Sequence, residues 1–490
     1  MGYLMVPIFE KLIDTTLAVG EQQKGTLHLQ LHEQLRTAIL NGVLAAGVKL
    51  PSSRNFARQQ SVSRNTVLAA YDQLVAEGYL ETRRGAGTFV ALDLPDNFIK
   101  PIARTIVTGK AHKTAPKPYE TLPPPTGTGL PAVDAFPTAI WARLNSSAWR
   151  QADSKLLHHA DPRGYRPLRE AIAIYLSSSR SVRTTADQIL IVSGLQQGMK
   201  LIADSLMEVQ DTIILEDPGY DGLLRTARAC TPSLAYTSVD KMGACVPRIR
   251  HKNSLLVVSP SHQYPLGMTM PTARRLELIN WARATDSLIL EDDYDSEFRY
   301  QGRPLNSLQG ISQGKHVIYG GSFSKTTFPA LRLGYLVLPQ HLMEKVTRQR
   351  EATDSFPSIM PQLILSKFIS EGHFARHIRR LRKIHAARQT HYMACFAAEL
   401  GEYFRLQPSP AGLDLVAWPT EFLAKTTEKT DTQWAKAAHR ANLSALPLSR
   451  TYRRTNSKQG LLLGFANFTP EHISRAIKKL AHIMRSESGF

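Results

Sequence analysis

The sequence predicts an α/β protein with two domains, a small helical domain at the amino terminus and a large domain built on a mostly parallel sheet. With 490 residues, the chain is longer than one ordinary domain. Residues 93–125 are rich in Pro, Thr, Lys and Gly and show no sustained hydrophobic period, which predicts a flexible linker. Beyond them, continuous apolar runs alternate with segments long enough for helices, a pattern typical of parallel sheets. We therefore expect domains at 1–92 and 126–490.

The charge of the chain points to a polyanionic partner. Its formal net charge is +19, yet residues 1–92 hold nine Lys and Arg against seven Asp and Glu. Most of the excess positive charge therefore belongs to the large domain. DNA is the simplest partner for such a chain, and the large domain is a second candidate for contact with it.

Other features narrow the class of protein. The three cysteines, Cys230, Cys245 and Cys395, are scattered without metal-ligand spacing, so we expect neither a disulfide framework nor a metal site. No apolar run approaches the roughly 20 residues that span a bilayer, and the first residues lack the apolar stretch of a signal peptide. These observations predict a cytoplasmic protein without membrane contact.

The first domain is predicted to hold three helices and a hairpin. Apolar residues recur every four positions between Leu27 and Gly42, as in an amphipathic helix with a glycine stop. Ser52 or Ser53 offers a cap for a second short helix, and Ser63 caps a third that runs to Gly78. Two β-prone runs then flank a turn with two arginines and two glycines. This order predicts a winged helix-turn-helix.

The start of the third helix and the wing supply the candidate DNA contacts. Side chains and free amides at a helix start can meet base edges and phosphates, and Arg64 is our candidate for base contact. Arg54 and the wing arginines are better placed to bind backbone phosphates. The full set is Arg54, Ser63, Arg64, Asn65, Thr66, Arg83, Arg84 and Gly87.

Five ordered segments of this domain resemble the GntR family of winged helix-turn-helix repressors. They are Leu50-Pro-Ser-Ser-Arg54, Val62-Ser-Arg-Asn-Thr-Val67, Tyr71-Asp-Gln-Leu74, Glu77-Gly-Tyr-Leu80 and Gly85-Ala-Gly-Thr-Phe-Val90. The resemblance implies that double-stranded operator DNA is a partner.

The most informative stretch of the large domain runs from Gly320 to Tyr335. It places Lys325 just after a buried strand, with hydroxyl side chains beside it and Arg332 following. Such an arrangement suits a Schiff-base lysine next to a phosphate site. Here the sequence resembles the fold type I aminotransferases. That resemblance implies that Lys325 holds pyridoxal 5'-phosphate (PLP) as an internal aldimine, that Ser322 binds the phosphate and that Arg332 pairs with it, with Ser324 a weaker phosphate candidate.

An acidic run follows another apolar strand. A carboxylate at that strand end can hold the pyridine nitrogen of the cofactor protonated, and Asp292 and Asp293 are both candidates. We favour Asp292, because Tyr294 then lies on the same side of an extended segment and can bond the phenolic oxygen of the cofactor.

Two further segments complete the predicted cofactor site. Ser193 to Gln197 follows a strand and opens a helix, so the amides of Leu195 and Gln196 suit a phosphate. In Asp217-Pro-Gly-Tyr220, the resemblance implies that Tyr220 stacks on the cofactor.

The chain departs from the aminotransferase pattern in two places. Tyr264-Pro-Leu-Gly267 stands where aminotransferases have Asn-Pro-x-Gly, so the asparagine that contacts the phenolic oxygen is missing. The segment Leu461 to Ala466 lacks the arginine that clamps a substrate carboxylate. Arg450, Arg453 and Arg454 are the candidates to replace it, and we favour Arg450.

Taken with the GntR-like domain, Ser261-His-Gln263 and the run Glu291 to Phe298 make the chain resemble the MocR-type regulators. The resemblance implies a homodimer with swapped heads. PLP, or its external aldimine with an amino acid or amine, would shift the affinity for DNA. Two alternatives stay open: a working aminotransferase with an accessory DNA-binding head, and a regulator that senses PLP alone.

A basic run in the large domain recurs at three- and four-residue spacing without acidic neighbours. It comprises Arg376, Arg379, Arg380, Arg382, Lys383 and Arg388. The spacing predicts one strongly positive helix face, either solvated or in contact with DNA.

Overall fold

A computed structural model of the chain describes residues 26–94, 124–158, 160–248, 252–302, 306–440, 442–454 and 457–487. It divides into two compact units, Met1–Pro118 and Tyr119–Phe490, here called the head and the large unit. The predicted linker, 93–125, lies largely outside the described residues. Within the described ranges, no helix combines the length and apolar character that crossing a membrane requires.

The head contains the predicted helices and wing. Its elements are α1 (Leu27–Leu40), α2 (Ser53–Gln59), α3 (Arg64–Ala76), β1 (Leu80–Arg83) and β2 (Gly87–Val90), the two strands being antiparallel. Ser52 Oγ accepts from Asn55 N at 3.3 Å and Ser63 Oγ accepts from Thr66 N at 3.1 Å, so both helices of the turn begin at a serine cap. The predicted winged helix-turn-helix is confirmed.

The large unit is organised around a mixed sheet, and the predicted α/β class is confirmed. Its strands are β3 (Ile189–Val192), β4 (Thr212–Asp217), β5 (Ser233–Asp240), β6 (Gly243–Ala244), β7 (Ser254–Val258), β8 (Leu288–Asp293), β9 (Val317–Ser322) and β10 (Gly334–Val337). Among the described residues the order is β3-β10-β9-β8-β7-β4-β5-β6. The pairs β9–β8, β8–β7, β7–β4 and β4–β5 are parallel, whereas β10 and β6 run antiparallel to their neighbours.

Helices cover this sheet. They are α4 (Thr138–Gln151), α5 (Ser154–His158), α6 (Arg166–Arg180), α7 (Leu195–Leu206), α8 (Asp221–Arg228), α9 (Thr272–Ala284), α10 (Leu308–Ser312), α11 (Met343–Asp354) and α12 (Ile359–Ser370). Apolar clusters pack between sheet and helices: Ile189 and Ile191 face a cluster with Leu168, whereas Leu190 and Val192 face one with Met199. Strands β3, β4, β7 and β10 are buried on both faces, which explains their largely apolar sequences.

A second, antiparallel sheet packs with the carboxyl-terminal helices. It comprises β11 (Phe404–Leu406), β12 (Asp414–Pro419), β13 (Leu446–Pro447) and β14 (Leu461–Gly464), in the order β11-β12-β14-β13. The helices are α13 (His373–Leu400), α14 (Glu421–Thr426), α15 (Asp431–Arg440) and α16 (Pro470–Glu487). Phe396, Leu415, Leu463 and Ile477 belong to the shared core.

The predicted positive face on α13 is partly wrong. Arg388 is buried, bonds the Ala466 carbonyl at 2.6 Å and pairs with Asp134. Because Asp134 is distant in sequence, the spacing of charges along the helix could not reveal this pair. Arg380 also bonds inward, to a backbone carbonyl. Arg376, Arg379 and Lys383 are exposed.

Candidate functional site

A cavity of about 350 Å³ lies where strands of the main sheet end, the usual place for ligands in open α/β sheets. Every residue predicted to bind the cofactor lines it: Leu195, Gln196, Tyr220, Asp292, Tyr294, Ser322, Ser324, Lys325 and Arg332. The geometry brings these side chains together, while their individual roles toward a cofactor stay predictions.

Lys325 is held by a backbone carbonyl. Lys325 Nζ donates to Gly129 O at 2.5 Å, and Gly129 N donates to Asp414 Oδ1 at 2.7 Å. Gly129 has a φ of +66°, and a Cβ there would lie 2.8 Å from Lys325 Nζ. Burial raises the pKa of Asp414 to about 6, against the lowering effects of the Gly129 amide and Lys325. The backbone of Gly129 thus connects the amine of Lys325 with the carboxyl group of Asp414.

One end of the cavity suits a phosphate. Helix α7 begins there after Gly194, and its first turn presents Leu195 and Gln196. Ser322, Ser324 and the guanidinium of Arg332 line the same cavity, and in the described part of the chain that guanidinium has no hydrogen-bond acceptor. Free helix amides, hydroxyls and an arginine are the donors that bind phosphate in proteins.

At another wall, two carboxyl groups, Asp292 and Glu216, form no ion pair with any of the described residues. Asp292 lines the cavity, and burial together with the charges of Asp293 and Glu216 raises its pKa well above the ordinary value. Burial raises the pKa of Glu216 to about 7, although Ser259 and Gln263 bond it. Within the described residues, Glu216 Oε1 is buried without a hydrogen-bond partner. A protonated pyridine nitrogen would supply the missing charge, so these residues fit PLP.

Asp293 has a different environment from Asp292. Its Oδ2 accepts from Arg180 Nε at 2.8 Å and from the Tyr319 hydroxyl, and both partners are buried. The carboxylate of Asp293 is therefore already bonded to side chains of the core. The geometry favours Asp292 over Asp293 for the pyridine nitrogen, as the sequence argument expected.

Aromatic rings form the remaining wall. Tyr220 is 45% exposed and meets Tyr264 edge to face, with ring centroids 5.5 Å apart. Tyr294 is near the same ring, and its hydroxyl lies 3.1 Å from His262 Nδ1. Tyr294 thus already has a protein partner, which the sequence argument did not foresee.

Sequence reasoning missed several residues of the site: Gly129, Glu216, His262, Asp295 and Asp414. Three of them carried a signal, since Glu216 ends an apolar strand and His262 and Asp295 belong to motifs already singled out. Gly129 and Asp414 carried none, because only the tertiary fold brings them to Lys325.

Of the arginines predicted to bind a ligand carboxylate, the favoured one does not line this cavity. Arg450 is exposed and lies outside the cavity, because the 3-10 turn Leu448–Thr451 carries its side chain to the surface. Arg453 lines the cavity instead. Its backbone N donates to Asp217 Oδ1 at 2.8 Å, and its Nη2 lies 3.2 Å from Asp221 Oδ1.

Some of the residues predicted to bind DNA are exposed on the head. Arg54, Arg64 and Asn65 are exposed in the first turns of α2 and α3. The side chains of Ser63 and Thr66 bond one another at 2.8 Å and cap α3. These two residues therefore shape the helix start, whereas Arg64 and Asn65 remain available to a partner.

The two wing arginines differ. Arg83 Nε donates to Glu81 Oε1 at 3.0 Å, and its guanidinium lies over the ring of Phe89, 4.6 Å from the centroid. Arg84 is exposed. Gly87 has a φ of +110°, and a Cβ there would lie 3.0 Å from Lys49 Cε, so Gly87 serves the turn itself.

Comparison with known proteins identifies both units. "Bacterial regulatory proteins, gntR family" matches residues 27–90, and "Aminotransferase class I and II" matches residues 128–449. The "Probable rhizopine catabolism regulatory protein MocR" of Rhizobium meliloti is 36% identical over 463 residues, covering 93% of each chain. The chain belongs to the MocR-type GntR regulators. A second member, the "HTH-type pyridoxine biosynthesis transcriptional regulator PdxR" of Corynebacterium glutamicum, is 31% identical and covers 93% of this chain and 95% of its own.

Solved structures resemble the large unit of this MocR-type regulator. An archaeal alanine:glyoxylate aminotransferase aligns with a TM-score of 0.67 and 21% identity, over 75% of this chain and 92% of that one. Pyrococcus horikoshii kynurenine aminotransferase aligns with a TM-score of 0.66 and 22% identity, over 75% and 92%. These likenesses show the architecture of the large unit. The aminotransferase match over residues 128–449 indicates PLP as its cofactor, while the family assignment favours a transcriptional regulator over a working aminotransferase.

Proposed function

We propose that PLP bound at Lys325, alone or joined to an amino acid or amine, changes the affinity of the head for operator DNA. The observation that carries this proposal is the hydrogen bond from Lys325 Nζ to Gly129 O. Gly129 stands in the first described segment after the linker that leads from the head. A change in the engagement of Lys325 therefore acts on the chain that connects the two units.

The segment before Gly129 is tied to the second sheet. Gly464 N, at the end of β14, donates to Thr126 O at 2.8 Å, and Ser444 N donates to Pro125 O at 2.8 Å. Asp414, at the start of β12, holds Gly129. These bonds fix the segment to the second sheet, so a displacement at Gly129 must strain or break them before it reaches the linker.

The residues of the cavity divide the work of holding PLP. Arg332, Ser322 and the first turn of α7 bind the phosphate, and Asp292 keeps a proton on the ring nitrogen. Bound PLP supplies an aldehyde that condenses reversibly with amines and a conjugated ring that absorbs visible light. Lys325 provides the amine of the protein, and Arg453 is the candidate to bind a carboxylate of the ligand.

In this proposal, residues 1–92 are the DNA-binding domain, 93–125 the linker and 126–490 the effector domain. The regulator acts as a homodimer, because operator recognition by helix-turn-helix proteins commonly pairs two half-sites, and its heads are swapped as the family resemblance implies. A switch of this kind needs a ligand that binds its two states with different affinity, and a coupling of about 1 to 3 kcal/mol is typical.

The rival function is transamination. Lys325, Asp292 and Arg332 are sufficient in kind for it, and the cavity has room for a small amino acid. The name of the MocR relative and the missing asparagine at Tyr264 support the regulator. A sensor of PLP alone would need no carboxylate site, and the partners that Arg453 already has in Arg450 O and Asp221 favour that variant.

The visible absorption spectrum of the purified protein separates these functions. Wild type and Lys325→Ala are titrated with PLP and then with amino acids, γ-aminobutyrate and taurine. A shift with one compound that then persists supports the ligand-sensing regulator. Steady conversion of the cofactor with release of an oxo product would instead establish an aminotransferase. A spectrum indifferent to every amine would favour the sensor of PLP itself.

A further inference from the structure

We propose that His262 positions the Tyr294 hydroxyl as a hydrogen-bond donor toward the cofactor cavity. The inference rests on the proposed binding of PLP in this cavity. Tyr264 stands where aminotransferases have the asparagine that contacts the phenolic oxygen, so one contact to that oxygen is missing from the sequence. His262 acts through Tyr294 and is therefore a positioning residue.

His262 has three close partners. Its Nδ1 lies 2.9 Å from Asp295 Oδ2 and 3.1 Å from Tyr294 Oη, and its Nε2 lies 3.3 Å from Ser409 Oγ. His262 is 7% exposed and Asp295 is 2% exposed. Both Tyr294 and Asp295 line the cavity. The imidazole thus forms a second layer directly behind two residues of the site.

The partners fix where the protons are. Ser409 donates its own hydroxyl proton to Ala411 O at 2.7 Å, so Ser409 Oγ accepts the proton of His262 Nε2. The Asp295 carboxylate can only accept, so His262 Nδ1 also carries a proton. Tyr294 Oη lies beside that same Nδ1–H and shares it with Asp295 in a bifurcated hydrogen bond. The hydroxyl proton of Tyr294 is then left to be donated into the cavity.

The surroundings support a positively charged imidazole. Burial lowers the pKa of His262, whereas Asp295 and Asp414 raise it and Arg299 opposes them, with a raised pKa as the net result. Asp295 is the nearest of these groups and is itself buried. A charge buried away from water is usually stabilised by an oppositely charged partner that is also hydrogen-bonded to it.

Two glycines shape the space that the imidazole occupies. Gly412 has a φ of +91°, and a Cβ there would lie 2.1 Å from His262 Cε1. Gly267 has a φ of +78°, and a Cβ there would lie 3.3 Å from His262 Nε2. Two segments far apart in sequence thus leave room for this ring, which restricts its orientation toward Tyr294.

A double-mutant cycle tests the inference. The dissociation constant for PLP and the visible absorption maximum of the bound cofactor are measured for wild type, His262→Phe, Tyr294→Phe and the double variant. A lost charge-assisted hydrogen bond predicts affinity about tenfold weaker in each single variant. The double variant should be no weaker than Tyr294→Phe, and the spectra should shift in the same direction. If the losses of affinity in the two single variants multiply in the double variant, or if His262→Phe behaves like the wild type in affinity and spectrum, the inference is overturned.

Controls separate positioning from folding. Asp295→Asn keeps the shape of the network and should give the same non-additive result with Tyr294→Phe, so it carries the test if His262→Phe does not fold. His385→Phe makes the same substitution in another buried position, which does not line the cavity, and should leave the spectrum unchanged. Failure of the wild type to bind PLP would refute the proposed function, whereas normal binding with additive variants refutes only this inference.

Discussion

Lys325 Nζ is hydrogen-bonded to the carbonyl oxygen of Gly129, a residue 196 positions earlier in the chain and close to the end of the predicted linker. This contact joins the lysine predicted to carry the cofactor to the segment that follows the predicted linker.

Gly129→Ala should weaken the binding of PLP about tenfold. The new Cβ would lie 2.8 Å from Lys325 Nζ, and a φ of +66° adds about 1 kcal/mol of backbone strain. Gly85→Ala is the matched control, because Gly85 has a φ of +78° with no atom within 4 Å of the added Cβ. Equal affinity for PLP in Gly129→Ala and Gly85→Ala would show that Gly129 does not constrain Lys325.

The neighbouring aspartates should separate cofactor binding from stability. Asp292→Asn should change the visible spectrum and lower the affinity for PLP, because it removes the carboxylate nearest the predicted ring nitrogen. Asp293→Asn should instead destabilise the apo protein by about 3 kcal/mol in urea unfolding, since it leaves the buried Arg180 without its ion-pair partner. If Asp293→Asn instead changes the spectrum and Asp292→Asn destabilises the apo protein, Asp293 is the residue that meets the cofactor.

The arginines of the head should differ in their effects on DNA binding. Arg64→Ala should cost about 1 to 3 kcal/mol of discrimination between operator and unrelated DNA, as expected for a base contact. Arg84→Ala should weaken both kinds of binding and reduce the salt dependence by about one counterion. Arg83→Ala should have a smaller effect, because Glu81 and Phe89 already hold that guanidinium. Electrophoretic shifts at several salt concentrations measure all three.

The apo protein should lose stability between about pH 4.5 and 7 through Glu216. Its folded-state pKa is raised from 4.5 to about 7, so in that window the folded state binds more protons than the unfolded state. The stabilisation is fully present below pH 4.5 and is lost as the pH rises through 7, by about 3 kcal/mol at most. Glu216→Gln should remove this loss in thermal unfolding, whereas Glu428→Gln, on the surface, should not. Identical pH profiles for wild type and Glu216→Gln would contradict the assignment.

The sequence predicted those site residues whose positions depend on a single strand or helix. Lys325 follows an apolar strand, Asp292 lies at the end of another, and Leu195 begins a helix. All three positions meet at the same edge of the sheet, so local patterns were enough to predict that they lie close together. Gly129 and Asp414 come from the amino-terminal segment and the second sheet, and no local pattern connects them to Lys325. Their role depends on tertiary packing alone.

The two corrections have the same physical origin. Arg388 has the spacing of an exposed charge but is paired with Asp134, which belongs to another part of the chain. Arg450 and Arg453 are neighbours in sequence, and only the 3-10 turn decides which one faces the cavity. Charge patterns along one element do not record the partners that another element supplies.

The most direct test of the central claim is the dissociation constant for operator DNA, measured at one fixed salt concentration with and without saturating PLP. It is determined for wild type and Lys325→Ala, with Glu428→Gln as a control at an exposed position outside both the cofactor cavity and the head. The account predicts that PLP changes the wild-type constant about 5- to 150-fold and leaves that of Lys325→Ala nearly unchanged. A wild-type constant that PLP and every amine ligand leave unaltered would contradict it.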